Sequence, residues 1–198
     1  MRISASCFAF LLGGFLLASP SVMATEPVGS VERVNMYAYG TVPSEVRKPA
    51  FRFDNIYFGE RIETVENGSI KINFLDKTDL YLGSKSDLII DAYVYDPASA
   101  KESMVIKATS GAFRFVTGNI SKAAVKIQTP VAVIGIRGTD ISFGVQDDGK
   151  TVVSIEHGAI SVSAKGKEAQ EFGAGEVISI ATDGTITTGA YSDAVNDI

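Results

Sequence analysis

Apolar and polar residues alternate with a period of two along most of the chain, in short runs separated by turn residues. This is the signature of half-buried β-strands rather than of amphipathic helices. Ile70, Ile72 and Phe74 stand against Lys71 and Asn73, and Ile141, Phe143 and Val145 against Ser142 and Gly144. A strand pair is predicted within Val28 to Tyr39, a long strand over Leu88 to Tyr95, and short strands up to Thr187. The separators are Glu66-Asn67-Gly68, Asp76-Lys77, Gly83-Ser84-Lys85, Asp96-Pro97 and Asp147-Asp148-Gly149. Asparagine and glycine accept positive φ, so Asn67-Gly68 predicts a hairpin, and Asp147 to Gly149 predicts another. The pattern implies one all-β domain over residues 25–188, an antiparallel sandwich or roll, with a β-solenoid-like stack as the alternative. Residues 189–198 read as a polar tail.

The most apolar stretch is V-K-I-Q-T-P-V-A-V-I-G-I-R-G-T-D-I-S-F-G-V, Val125 to Val145. Val131 to Ile136 is nearly continuous, as expected of a strand buried on both faces. Thr129-Pro130 interrupts the run because proline cannot donate to a ladder. Arg137 and Asp140 then stand beside Gly135, Gly138 and Thr139. A ligand-anchoring arginine is one reading, since guanidinium pairs with carboxylate or phosphate bidentately. The favoured reading is an internal ion pair, or an arginine-to-carbonyl bracket, pinning a turn that Gly138 permits. Breaking a buried pair costs about 3–5 kcal/mol. On either side lies a weak repeat, Val105 to Phe115 and Val152 to Val162, each with Gly-Ala at its centre (Gly111-Ala112 and Gly158-Ala159). Its physical content is a strand, a glycine that permits a kink, and a second strand.

The N-terminus changes the compartment. Met1-Arg2, the apolar Phe8 to Ala18 and Val22-Met23-Ala24 have the form of a signal peptide over residues 1–24. The apolar part is far short of the roughly 20 residues a spanning helix needs. A periplasmic or secreted protein, cleaved near Ala24, is expected. Cys7 is the only cysteine, so the mature chain would have no disulfide framework and no thiolate metal site. With 18 basic and 23 acidic residues the net charge is −5, against nucleic acid, which calls for a clustered basic face.

Candidate chemistry is sparse. His157 is the only histidine, which excludes a histidine-based metal site, and it sits at a predicted turn. There is no Gly-x-Ser-x-Gly elbow and no glycine-rich loop leading into a helix. No catalytic residue, cofactor or metal ligand is therefore assigned. Asp147-Asp148 reads as a turn rather than a cation or sugar site, and Asp76, Asp79, Asp87 and Asp91 as turn and solvent-face residues. A binding surface is suggested by Tyr93 and Tyr95, on one face of a strand with Val94 on the other. Tyr37, Tyr39, Phe51, Phe53, Tyr57, Phe58 and Tyr81 lie earlier. Exposed tyrosines stack on sugars or anchor peptides; core packing is the competing role.

Thr129, Pro130, Gly135, Ile136, Arg137, Gly138, Thr139 and Asp140 form the "TP…GIRGT" element of the FecR domain family, which this chain resembles. G-E-R-I-E-T (Gly59 to Thr64), Y-V-Y-D-P (Tyr93 to Pro97), G-A-F-R-F-V-T-G (Gly111 to Gly118) and E-H-G-A-I-S-V (Glu156 to Val162) fall in the family's order, so the resemblance runs over roughly residues 28–180. It implies an all-β periplasmic domain, best known in regulators that relay an outer-membrane signal to a cytoplasmic sigma factor. Those regulators carry a membrane span. Here a cleavable leader and no later span are read, so the chain is more similar to free-standing exported members. The function expected is non-catalytic: an envelope domain that binds a protein or glycan partner or acts as a scaffold. The rivals are a ligand-sensing component of envelope signalling working through a separate membrane protein, and a carboxylate-based glycan enzyme.

Overall fold

The computed structural model describes residues 26–189 apart from 97, 99, 100 and 122. The expected leader and the tail beyond Gly189 lie outside the described residues. Strands β1 (Pro27–Asn35), β2 (Ala38–Thr41), β3 (Lys48–Pro49) and β4 (Asn55–Tyr57) come first. They are followed by β5 (Arg61–Thr64), β6 (Ser69–Phe74), β7 (Asp79–Leu82), β8 (Asp87–Asp96) and the long β9 (Lys101–Val116). The second half holds β10 (Val125–Gln128), β11 (Ala132–Ile136), β12 (Asp140–Val145) and β13 (Thr151–His157). It ends with β14 (Ala159–Ala164), β15 (Gln170–Gly173), β16 (Val177–Ile180) and β17 (Ile186–Gly189).

These strands form two sheets that share β9. One runs β4-β1-β6-β7-β9-β12-β13-β16-β17. The other runs β3-β2-β5-β8-β9-β10-β11-β14-β15. Every pairing is antiparallel except β9 with β10. The fold is therefore an all-β antiparallel sandwich and not a stack of parallel coils. The buried faces of both sheets, with Ile62, Ile72, Leu80, Ile106, Phe115 and Ile134 at their centre, make one continuous core.

Alternation sets which face each side chain takes. In β6 every second residue is buried (Ile70, Ile72, Phe74), and β14 repeats this with Ile160, Val162 and Ala164. A one-residue slip of register would turn each set into solvent. The same rule corrects the reading of Val131 to Ile136: Ala132, Ile134 and Ile136 face the core, while Val133 is 38% exposed. Valine on the outer face made the run look buried on both sides.

The chain changes sheet at glycines. Lys101 to Ser110 of β9 pairs with β8 in one sheet, and Gly111 to Val116 pairs with β12 in the other. At the joint Gly111 has φ +110°, and a Cβ there would stand 2.4 Å from the Ser86 Cα. Gly158 (φ +81°) does the same between β13 and β14, where a Cβ would meet the Gly138 carbonyl oxygen at 2.2 Å. The weak repeat seen in sequence is thus the signature of a strand that crosses between layers. Asn67-Gly68 is also a crossing and not the hairpin expected. Asn67 does take positive φ (58°), but β5 pairs in one sheet and β6 in the other.

Candidate functional site

The motif around Gly138 forms the arch from β11 to β12, and its residues part company there. Thr129 closes the β10–β11 turn: its Oγ1 accepts from the Ala132 N–H at 3.2 Å. Exposed Pro130 lies against Gly149, and Gly135 leaves room for the Ser161 hydroxyl on β14. Gly138 takes φ +70°. The expected buried pair of Arg137 and Asp140 is not formed. Arg137 continues the outward parity of Val133 and Gly135, and its guanidinium meets Glu171 at 2.9 Å with both side chains more than half exposed. Asp140 instead takes a bidentate pair of bonds from Arg114 on β9, at 3.0 and 2.7 Å. Thr139 is knitted to Thr117 through both backbone groups at 3.0–3.1 Å, while its own buried Oγ1 has no partner among the described residues. Gly138, Thr139 and Asp140 line a hollow of about 550 Å3 with exposed His157.

Tyr93 and Tyr95 are packed, not presented. Both lie partly buried against the core, and it is Val94 that is 49% exposed. The Tyr93 ring stacks on Phe74 of the opposite sheet at 5.5 Å. Its hydroxyl donates to Asp76 Oδ1 and accepts from the Asp76 N–H, both at 3.1 Å. Burial, and then the Asp76 charge, push the phenol well above its ordinary range. Asp76 is fully buried, contrary to its reading as a solvent-face residue. Its Oδ2 also accepts from the Thr78 hydroxyl at 2.5 Å and the Ile120 N–H at 3.3 Å. A buried carboxylate is tolerated when donors surround it in this way.

The exposed aromatics lie at the other end of the chain. Phe51-Arg52-Phe53-Asp54 forms a turn closed by the Phe51 N–H donating to Asp54 Oδ2 (2.7 Å) and the Asp54 N–H donating to the Phe51 carbonyl (3.1 Å). Two further bonds, Phe53 N–H to Val31 carbonyl and Val31 N–H to Asp54 carbonyl, staple the turn to β1 at 2.8 and 2.9 Å. The turn is therefore held, yet it leaves Phe51 64% and Phe53 73% exposed. Between β1 and β2, Met36 and Tyr37 are 61% and 62% exposed. Phe53 (φ +75°) and Met36 (φ +58°) both sit in the left-handed region, where a bulky residue is an outlier at about 1–2 kcal/mol each. Met36, Tyr37, Tyr39 and Phe51 line a groove of about 400 Å3, edged by Arg33 and Arg52. Arg52 caps the Phe53 ring at 4.4 Å, and Arg47 caps Tyr39 at 3.5 Å. Large apolar groups held out of the core at a backbone cost make this a candidate contact surface.

Beyond the Pro49-Ala50 wall lies a larger cavity of about 640 Å3. Glu60 forms part of its lining and is only 6% exposed. The Tyr57 N–H donates to Glu60 Oε2 at 2.9 Å. Burial, with help from Asp54 and Glu45, raises the Glu60 carboxyl above the ordinary carboxylate range. The two other carboxylates of the cavity help to hold its wall: Asp54 closes the aromatic turn, and Glu45 pairs with Lys48 at 2.6 Å. Among the described residues no group of histidine, cysteine and carboxylate side chains is arranged to hold a metal ion.

The structure is thus an all-β, two-sheet sandwich whose polar networks fasten its arches and whose edge displays a held aromatic patch. The FecR protein model matches residues 60–161, slightly more than half of the sequence, and the chain belongs to the FecR family. No curated protein matches it in sequence. In structure it is similar to a proposed anti-sigma factor from Parabacteroides distasonis ATCC 8503, seen in crystal structures at 2.50 and 1.65 Å resolution. The TM-score is 0.53 in each case at 14% identity, covering 66% of this chain and 59% of the other. The shared part is less than two thirds of that protein and concerns the fold.

Proposed function

We propose that this chain is a non-catalytic FecR-type envelope domain that binds a protein partner through the aromatic end formed by Met36, Tyr37, Phe51 and Phe53, and that it works in envelope signalling through a separate membrane protein. The observation that carries the proposal is the stapled turn that holds Phe51 and Phe53 in solvent, Phe53 in a costly backbone conformation. Aromatic anchors of this kind dominate protein interfaces, and the arginines at the rim suit a partner with acidic groups. Family membership and the likeness in fold to a proposed anti-sigma factor support a signalling role. No helix among the described residues is long and apolar enough to cross a membrane, which is compatible with a partner that does. The glycan-enzyme reading gains little, because Asp54 and Glu45 are engaged in the cavity wall.

A photo-crosslinking amino acid placed at Tyr37 or Phe53, and at exposed Thr187 on β17 as control, tests the proposal in intact cells. One discrete envelope adduct from the first two positions and none from the third is expected. Equal labelling from all three, or none, would remove the aromatic end as the docking surface.

A further inference from the structure

The cavity behind Pro49-Ala50 has a use that the aromatic end does not explain. Its apolar walls come from Val31, Val42, Val46 and Ile56, and Gly40 forms part of the lining. A Cβ on Gly40 would stand 2.2 Å from Glu60 Oε1, so the missing side chain is what gives that oxygen its place. With Oε2 taken by the Tyr57 N–H, Oε1 has no donor among the described residues. Glu60 lines the cavity, and its Oε1 lies over Gly40, which lines it too. Asp54 and Glu45 add negative charge, and the single cation on the lining, Lys48, is already paired with Glu45.

We infer that this cavity binds a primary alkylammonium group, its stem against the valines and Ile56 and its charge on Glu60 Oε1. The apolar lining of Val31, Val42 and Ile56 suits an aliphatic stem, which amphipathic cations bury while the charged head finds a polar group. One free carboxylate oxygen favours a compact ammonium over guanidinium, whose fork needs two acceptors in a plane. The ammonium gives a charge-assisted partner to the Glu60 oxygen that no protein donor among the described residues serves. The group belongs either to a lysine side chain of a protein or to a free amine. The inference does not rest on the aromatic surface being a docking site.

Calorimetric titration of the purified protein at pH 7.5 and low salt separates the sources. The probes are a blocked Gly-Lys-Gly peptide, the same peptide with norleucine for lysine, and 1,5-diaminopentane. One-to-one binding of the lysine peptide, the diamine or both is expected, with no binding of the norleucine peptide. The stronger of the first two identifies the source. Glu60→Gln should weaken binding at least tenfold without lowering the melting temperature. Gly40→Ala, which displaces the carboxylate, should weaken it as well. Absence of heat with both amines at millimolar concentration, equal binding of the norleucine peptide, or unchanged affinity in Glu60→Gln would overturn the assignment. Photo-crosslinking at Phe53 is unaffected by any of these results, so the two proposals fail separately.

Discussion

Replacing Tyr93 by phenylalanine removes one oxygen and keeps the ring that stacks on Phe74. The oxygen serves two bonds, one given to Asp76 Oδ1 and one received from the Asp76 N–H, at 3.1 Å each. Asp76 has no exposure through which water could replace them. A bond to a charged group contributes about 1.5–3 kcal/mol, and a stranded buried donor about 1–3. Because the losses overlap, about 2–4 kcal/mol is expected. In a domain of this size each kcal/mol moves the melting temperature by about 2–4 °C, giving a fall of roughly 4–16 °C. Urea unfolding followed by tyrosine fluorescence, with thermal melts, measures it. The pH profile adds a second readout. The Tyr93 phenol is raised in the folded state, so its stabilisation is complete below the ordinary tyrosine value near 10 and is lost as pH rises through the folded value. Wild type should therefore lose stability on the alkaline side more steeply than Tyr93→Phe. A variant that melts within about 0.5 kcal/mol of wild type but captures no partner would refute the latch and make Tyr93 a binding residue.

Three other perturbations separate structural from peripheral residues. Arg137→Ala should change stability by less than about 1 kcal/mol, the scale of an exposed ion pair, when urea midpoints are compared. Gly111→Ala should cost about 3 kcal/mol or more, since it adds a Cβ in contact with backbone at a left-handed position; loss of soluble, cooperatively melting protein is the readout. Glu60→Gln should raise the melting temperature at neutral pH. The folded carboxyl titrates above its unfolded value, so wild type loses stability as pH rises through that window, and the variant should show a flatter profile on the alkaline side of the ordinary carboxylate range.

Much of the fold was legible in alternation, because a period of two assigns each residue to a face before any partner is known. β6, β12 and β14 bury the residues that the pattern marked. Pairing was less legible. Asn67 supplies the same positive φ to an arch as to a hairpin, and nothing local distinguishes them. Arg137 was misplaced although the signal was present: it shares parity with outward Val133, and the apolar neighbours obscured that. Asp76 was hidden for another reason. Its partners Tyr93 and Ile120 lie 17 and 44 positions away, and a turn aspartate reads as solvated without them. Phe51 and Phe53 have the spacing of a buried strand, and the turn that Asp54 closes and β1 staples puts both outside. The cavity at Glu60 had no sequence signature, since Gly40 is 20 positions earlier.

We hold that the aromatic end serves binding and not folding. Phe53→Gly tests it most directly, with crosslinker at Tyr37 reporting partner capture. Glycine accepts φ +75° freely, so relief of about 1–2 kcal/mol offsets the lost Arg52 contact of about 0.5–1 kcal/mol. A melting temperature equal to or above wild type together with loss of the adduct is expected. Undiminished adduct, or a strongly lowered melting temperature, would contradict it.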